Sequence, residues 1–300
     1  MTTVWNNILH FTDVISLLII LPANMFILVM NILDWRKNTR LDISDQLISG
    51  LGLLSLSHRI LQVSFRYTVL IHGFHVITKS AWLLIDITYL SQIFCTLLYS
   101  TWLAMHFCLK IVNINRNLYI YIQSRFPKMF PWILLLSVLA SILISVPAAL
   151  NMSDNYGNYT VLLNPSSSPL KSFISLILYL AFFSFFFSFF FILVLVTIVS
   201  LYKHINRMQN KTMNFRSEIV EAHVTAVKTL IALLGFNLLY FGSVILTVED
   251  YGRLQSMYIL LLIYTTCHVL SLIILIRGSS KLRKKLHAIW RSCAVGFSSN

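Results

Sequence analysis

The feature that most constrains the fold is a long apolar run between Lys79 and Lys110, in which Asp86 is the only Asp, Glu, Lys or Arg residue. A helix needs about 20 apolar residues to cross the roughly 30 Å hydrocarbon core of a bilayer, and this run is longer. Apolar residues occur all round the helix, so no face is suited to water. Polar side chains such as Gln92 and His106 would need partners in lipid. The run therefore predicts a membrane span packed among other spans.

The charge distribution orients the chain. With 57% hydrophobic and 11% charged residues, the composition is not that of a soluble domain. The formal net charge is +13, yet 18 of the 23 Lys and Arg residues fall in four short segments, 36–40, 110–128, 203–228 and 277–291. Such alternation with apolar runs follows the positive-inside rule and does not resemble a nucleic-acid-binding stripe. We expect a lipid bilayer as partner and no nucleic acid.

The predicted fold class is an all-α membrane protein, a seven-transmembrane helix bundle in one domain over residues 1–300, with polar loops between the spans. A short amphipathic eighth helix is expected at 279–290, and the spans lie at approximately 8–33, 43–70, 80–113, 131–150, 171–202, 224–247 and 256–276. The N-terminus has no basic leader, so the first span should direct insertion. We expect a multi-pass plasma-membrane protein with an extracellular N-terminus and a cytoplasmic C-terminus.

Glycosylation sequons agree with this topology. Asn151 and Asn158 each begin an Asn-X-Ser/Thr sequon in the predicted outer loop, and both are candidate glycosylation sites. A third sequon begins at Asn210, on the predicted inner side, and should stay unmodified.

Other function classes are disfavoured. The sequence has no paired-histidine metal motif, no glycine-rich phosphate loop and no nucleophile elbow, so we expect no enzyme activity, no metal and no cofactor. Four cysteines, three of them in apolar spans, predict no extracellular disulfide. A transporter stays an alternative, although it would need inverted repeats and carboxylates near the middle of the membrane.

Six fragments carry a family resemblance. They are LPANMFILVMNILDWRKN, DQLI at 45–48, WLA at 102–104 with LKI and Asn113, SLYKHINRMQ, AHVTAVKTLIALLGFNLLYF and LIRGSSKLRKKL. In this order and at these depths the chain resembles the type 2 (bitter) taste receptors, a family of seven-helix G-protein-coupled receptors. The resemblance implies a chemosensory receptor that detects bitter small molecules and activates a heterotrimeric G protein of the gustducin or Gi type. Because the candidate pocket residues are mostly apolar, we expect these molecules to be lipophilic. The resemblance leaves homo- or hetero-oligomerisation open. A type 1 vomeronasal receptor is the nearer alternative.

The chain departs from the family pattern at several positions. Ser271 and Leu272 stand where the family has His-Ser. In the fifth-span pattern Leu-x-x-Ser-Leu-x-x-His, Thr197 stands in place of the first leucine. The family's Trp and Asn in the third span, which often contact agonists, align with Ile93 and Leu97. Candidate ligand-binding residues by resemblance and depth are Asp86, Ile93, Leu97, Phe182, Phe186, Tyr240 and Leu261. For Phe182 and Phe186 the alternative is packing against lipid, and for Asp86 it is hydration at the interface.

The predicted inner ends form the G-protein and switch region, and a second group makes structural polar contacts. The switch candidates are Lys110, Lys203, His204, Arg207, His223 and Lys228. The polar-contact candidates are Asn24, His58, Arg59, Ser200 and Ser271. Arg59 would either face the bundle with His58 as a polar switch toward the first and seventh helices, or snorkel outward. On the eighth helix we expect Leu282, Leu286, Ile289 and Trp290 against the membrane surface. Its basic residues Lys281, Arg283, Lys284 and Lys285 should face anionic headgroups.

Overall fold

The described part of the chain is helical. A computed structural model describes residues 2–38, 41–72, 78–111, 117–158, 169–209, 217–249, 254–279, 281–288 and 291. Seven long helices follow one another: α1 Thr2–Asn38, α2 Ile43–His72, α3 Lys79–Ile111, α4 Asn117–Asn158, α5 Pro169–Gln209, α6 Ser217–Glu249 and α7 Leu254–Gly278. A short helix, α8, covers 281–288. Within these residues there is no strand.

The helices extend beyond the predicted spans. The loops expected at 117–130 and 151–158 are wrong, because α4 is helical through both and has 42 residues. At about 1.5 Å per residue, such a helix is roughly twice as long as the hydrocarbon core is thick. Its first part is held by packing, since Phe126 and Phe130 are buried and their ring centroids lie 5.6 Å apart. Hydropathy finds the lipid-crossing part of a helix and not its ends.

Four of the helices contain long apolar runs within the described residues. These runs are Phe11–Lys37, Lys79–Lys110, Ser124–Leu150 and Ile174–Lys203, and shorter apolar runs occur at Val227–Gly242 and Thr265–Gly278. Each long run is long and apolar enough to cross a membrane. Their outward faces remain apolar, as at Leu18, Leu143 and Phe185, which are 66–72% exposed. Exposed apolar faces of this kind suit contact with lipid. α2 is more polar and carries His58 and Arg59 within it.

The chain divides into two compact units. The first unit comprises Met1–Gly52, Ala104–Asn113 and Ile192–Asn300, and the second comprises Leu53–Leu103 and Ile114–Phe191. The first therefore holds α1, α6, α7 and α8 with parts of α2, α3 and α5. The second holds α4 with the remaining parts of α2, α3 and α5.

In the first unit, small residues allow helices to approach closely. A Cβ added at Gly52 of α2 would come to 2.7 Å from Oδ1 of Asn24 on α1. A Cβ added at Gly278, the last residue of α7, would collide with the side chain of Thr229 on α6. Such close approach is typical of helix interfaces in membranes, where glycine removes the side chain that would keep two backbones apart.

In the second unit, hydrogen bonds and ring contacts join α3 to its neighbours. Trp102 Nε1 donates to Ser137 Oγ of α4 at 2.9 Å. Phe65 of α2 packs edge-on against Trp82 of α3, with ring centroids 5.0 Å apart. In lipid, packing of this kind and hydrogen bonds between helices replace the hydrophobic driving force available in water. The prediction that residues 80–113 lie among other helices is met for the described part of that segment.

Candidate functional site

An aromatic cluster joins α3 and α5 in the second unit. The ring centroid of Phe94 lies 6.0 Å from Tyr179, 6.2 Å from Phe183 and 5.7 Å from Phe186. Tyr179, Phe94 and Phe183 are at most 1% exposed. The Tyr179 hydroxyl donates to the Leu90 carbonyl at 3.1 Å, and this bond fixes the position of α5 along the axis of α3. We call Phe94, Tyr179, Phe183 and Phe186 the aromatic cluster.

The predicted ligand-binding residues of the second unit occupy different environments. Ile93 and Leu97 are buried, 4% and 0% exposed, beside Phe94 in the sequence. Phe186 belongs to the aromatic cluster, whereas Phe182 is 40% exposed, which favours its lipid-facing alternative. Asp86 is half-buried on α3. Ile93 and Leu97 thus lie within one turn of Phe94 on α3, Phe186 is a member of the aromatic cluster, and Phe182 is exposed.

Two further predicted ligand residues belong to the first unit. Tyr240 of α6 is 4% exposed and its ring lies 5.5 Å from the His268 ring of α7. The side chain of Leu261 lies outside the described part of the structure. His268 therefore joins Tyr240 as a polar neighbour that the sequence analysis did not select as a site.

A polar group links α2 and α3 in the second unit. His58 Nδ1 lies 3.1 Å from Gln92 Oε1, and Gln92 Nε2 donates to Ser57 Oγ at 2.9 Å. The next residue, Arg59, is fully buried and donates to Gln62 Oε1 at 2.7 Å. Burial of Arg59 favours the inward-facing interpretation over snorkelling. His58 contacts α3, where its ring also lies 5.1 Å from the Tyr89 ring, and a role as a polar switch toward the first and seventh helices stays a prediction.

The other predicted polar contacts are largely made within helices. Asn24 Nδ2 donates to the Ile20 carbonyl one turn earlier at 2.9 Å, while its oxygen lies against Gly52 of α2. Ser271 donates to the His268 carbonyl, also within its own helix. Ser200 is half-buried on α5. An interhelical contact that the prediction did not include is made by Asn31, which donates to Ser49 Oγ of α2 at 2.7 Å.

The predicted switch residues supply exposed cations in the first unit. The side chains of Lys110, Lys203 and Lys228 are exposed, on α3, α5 and α6. The side chains of His204, Arg207 and His223 lie outside the described residues, although their backbones are helical. The same holds for the glycosylation candidates Asn151 and Asn158. Exposed lysines at these positions suit electrostatic contact with a polar or acidic partner.

The position of α8 corrects one prediction. Lys281 and Lys285 face protein carboxylates rather than only anionic headgroups. Lys281 Nζ lies 2.6 Å from Asp34 and 2.5 Å from Asp45, and Lys285 Nζ lies 2.7 Å from Asp34. Leu282, expected at the membrane surface, is fully buried. Carboxylates on α1 and α2 lie within reach of one face of α8, which explains the difference. Ile289, Trp290 and Cys293 lie outside the described residues.

The electrostatics of Lys281 follow from these contacts. Partial burial alone would lower the pKa of its ammonium group, because burial disfavours charge. The hydrogen bonds to Asp34 and Asp45 outweigh that effect and hold the pKa of Lys281 above its usual value. The lysine therefore stays protonated at neutral pH and the ion pairs persist.

Comparison with known proteins identifies the family. The model of the taste receptor protein (TAS2R) family matches residues 1–294. Human taste receptor type 2 member 2 is 31% identical over 153 residues, which cover 49% of this chain and 50% of that relative. Taste receptor type 2 member 7 of Gorilla gorilla gorilla is 25% identical over 292 residues, covering 91% and 89%. Member 41 of Mus musculus is 27% identical over 234 residues, covering 75% of each chain.

These matches and the helical structure confirm the resemblance and the predicted fold class, an all-α, multi-pass membrane protein. They decide against the vomeronasal-receptor and transporter alternatives. The chain therefore belongs to the type 2 taste receptor family and is a bitter-taste chemosensory receptor, not an enzyme.

Proposed function

We propose that this receptor binds lipophilic bitter molecules and activates a heterotrimeric G protein of the gustducin or Gi type. The observation that carries the ligand class is the aromatic cluster between α3 and α5, with the buried Ile93 and Leu97 within one turn of Phe94 on α3. Apolar area and aromatic stacking are the forces available there, so greasy agonists gain most. Because few polar groups lie there, we expect modest agonist affinity, with a dissociation constant of about micromolar size.

The proposed ligand region lies along α3 and α5. Ile93, Leu97 and Phe186 supply the apolar wall, and Asp86 would supply a charge toward a cationic ligand. Phe182 is a weaker candidate, because its side chain is exposed. Tyr240 stays a predicted hydrogen-bonding group in the first unit, and Leu261 stays a prediction.

The proposed signalling surface is cationic. Exposed Lys110, Lys203 and Lys228 in one unit support contact with a G protein, and His204, Arg207 and His223 extend this region by prediction. An agonist moves the receptor toward its signalling state only through a difference in affinity between the two states. We propose that movement of α6 around His223 and Lys228 accompanies that shift.

A substitution in α3 tests the ligand region. Leu97→Asn should change the spectrum of active compounds, because it adds donors and acceptors to an apolar, fully buried position. Calcium or cAMP responses would be measured across a bitter-compound panel, in cells with and without a gustducin-like G protein, at matched surface expression. Leu84→Asn, at a 64% exposed position of the same helix, is the control. If Leu97→Asn leaves the agonist spectrum unchanged while other α3 or α5 variants lose their responses, the ligand region does not include Leu97.

The proposed topology has an extracellular N-terminus and a cytoplasmic C-terminus in the plasma membrane. Glycosidase treatment should shift the mass of the wild type, and should leave an Asn151→Gln, Asn158→Gln double variant unshifted. The basic segments motivate this orientation. A mass shift that persists in the double variant and disappears with Asn210→Gln would reverse it.

A further inference from the structure

Four charged side chains join α8 to the adjoining ends of α1 and α2. Lys281 contacts both Asp34 and Asp45, while Lys285 donates to both carboxylate oxygens of Asp34 at 2.7 Å. We call these four residues the charged clasp. An isolated exposed pair contributes little, but a network in which each charge has a shared partner costs less side-chain entropy for each contact. The clasp also keeps two neighbouring carboxylates neutralised.

The acidic half of the clasp is held by the backbone around it. Asp42 accepts from the Ile43 amide at 2.8 Å and from Ser44 Oγ at 3.0 Å, so it caps the start of α2. Asp45 therefore falls in the first turn, where the helix dipole favours a carboxylate. Asn31 of α1 donates to the Asp45 carbonyl at 3.3 Å, which ties the two helix ends together. The carboxylates thus present a fixed target to α8.

The basic half is coupled directly to α7. The Ser279 amide donates to the Leu275 carbonyl at 3.1 Å, continuing the hydrogen bonding of α7. Ser279 Oγ also accepts from the Leu282 amide at 3.3 Å, so the same residue caps α8. The side chain of Leu282, on α8 itself, is fully buried. Because Ser279 bonds to both helices, a movement of α8 away from α1 and α2 would pull on the end of α7.

The end of α7 in turn abuts α6. Gly278 leaves no room for a Cβ beside Thr229, whose hydroxyl is fixed by a 2.9 Å hydrogen bond to the Thr225 carbonyl. Thr229 follows Lys228, one of the proposed signalling cations. A continuous path of contacts therefore runs from the clasp through α8 and Gly278 to the part of α6 that is proposed to move.

We propose that the charged clasp is a latch that restrains α6, with Asp34, Asp45, Lys281 and Lys285 as positioning residues for signalling. The latch rests on the proposed function, since it acts on the α6 movement proposed there. The clasp holds α8, and α8 holds Gly278 against Thr229. Opening the clasp frees this contact and shifts the population toward the signalling state without any ligand.

Charge exchange tests the latch. Asp34→Lys and Lys285→Asp each place like charges side by side, and each should raise basal signalling about five-fold, the lower end of common coupling energies. The double variant restores an opposite-charge pair between positions 34 and 285 but leaves a lysine at position 34 beside Lys281. Basal signalling should therefore return only part of the way toward wild type. A clasp that only stabilised the fold would lower signalling through lost expression, and normalising to surface expression separates the two. Lys37→Asp, an exposed residue of α1, is the matched control and should leave basal signalling unchanged.

A physical readout keeps the latch separate from G-protein coupling. Spin labels at Trp35→Cys on α1 and Ile231→Cys on α6, both exposed, would report distances in purified receptor with Cys293→Ser as background. Single clasp variants should shift the distance distribution, and the charge exchange should restore it in part. If distances shift while no G protein responds, the latch stands and the proposed coupling fails. If the wild type signals but the single variants change neither distance nor basal signalling, the latch is wrong.

A milder pair of variants covers the case in which charge reversal prevents folding. Asp34→Asn removes the charge and keeps the shape, and Gly278→Ala pushes on Thr229 from the other side. Each should raise basal signalling, and together they should give little more than one alone, because they release the same contact. Full additivity, or wild-type basal signalling in both variants, would contradict the latch.

Discussion

The aromatic cluster and the charged clasp hold helices together by opposite means. In the second unit, α3 and α5 meet through fully buried rings and one hydroxyl, so contact area and shape decide the packing. In the first unit, α8 meets α1 and α2 through charges that are partly exposed to solvent. Apolar contacts tolerate many partners of similar shape, whereas ion pairs are directional and reversible. The proposed ligand region uses the first arrangement, and the proposed latch uses the second.

Truncation of the aromatic cluster should give the largest effect. Phe94→Ala removes a fully buried ring that meets three others, and cavity formation of this kind costs about 3–5 kcal/mol. The thermal midpoint of detergent-purified receptor should fall clearly, and agonist responses should be lost at matched expression. Phe11→Ala, at a 69% exposed position, is the control and should be nearly neutral. Equal losses in both variants would mean that Phe94 is not a packing centre.

The hydroxyl of Tyr179 should contribute less than the ring. Tyr179→Phe keeps the shape but removes the hydrogen bond to the Leu90 carbonyl, which should cost about 0.5–1.5 kcal/mol. The thermal midpoint of purified receptor measures this loss, and Tyr202→Phe at a 65% exposed position is the matched control. If Tyr179→Phe matches wild type, the rings alone set the height of α5 against α3.

Hydropathy was enough to predict the helical class, because a chain in lipid must satisfy its backbone hydrogen bonds within helices. It could not find the end of α4, since residues 117–130 and 151–158 are helical without being apolar throughout. It also could not choose a face for α5. Eight phenylalanines lie between 182 and 191, so the sequence shows no apolar and polar face there. Phe182 and Phe183 cannot be distinguished from sequence, although Phe182 is 40% exposed and Phe183 is 1% exposed.

The clasp was missed for a different reason. Lys281 and Asp45 are separated by 236 positions. Nothing in the sequence around a lysine in a basic tail indicates which acid it pairs with. From sequence alone, a basic eighth helix is explained equally well by attraction to anionic lipid headgroups and by ion pairs with carboxylates of the protein. Only the fold brings Asp34 and Asp45 to one face of α8. The available signal was a group of three acids around the basic segment 36–40, Asp34, Asp42 and Asp45, which the positive-inside rule leaves out of account.

The dependence of stability on salt should distinguish the charged clasp from the aromatic cluster. This is the smallest of the predicted effects. Ionic screening shortens the reach of charge from about 10 Å at 0.1 M to about 3 Å at 1 M, while it leaves aromatic packing nearly untouched. The stability lost in Asp34→Asn, measured as a difference in thermal midpoint from wild type, should therefore shrink as potassium chloride rises. The clasp is partly exposed, so this change should be no more than about 2 °C. The deficit of Phe94→Ala should stay constant over the same series, which removes general salt effects on the detergent complex. A constant deficit in Asp34→Asn would mean that packing around Leu282, and not charge, holds α8 in place.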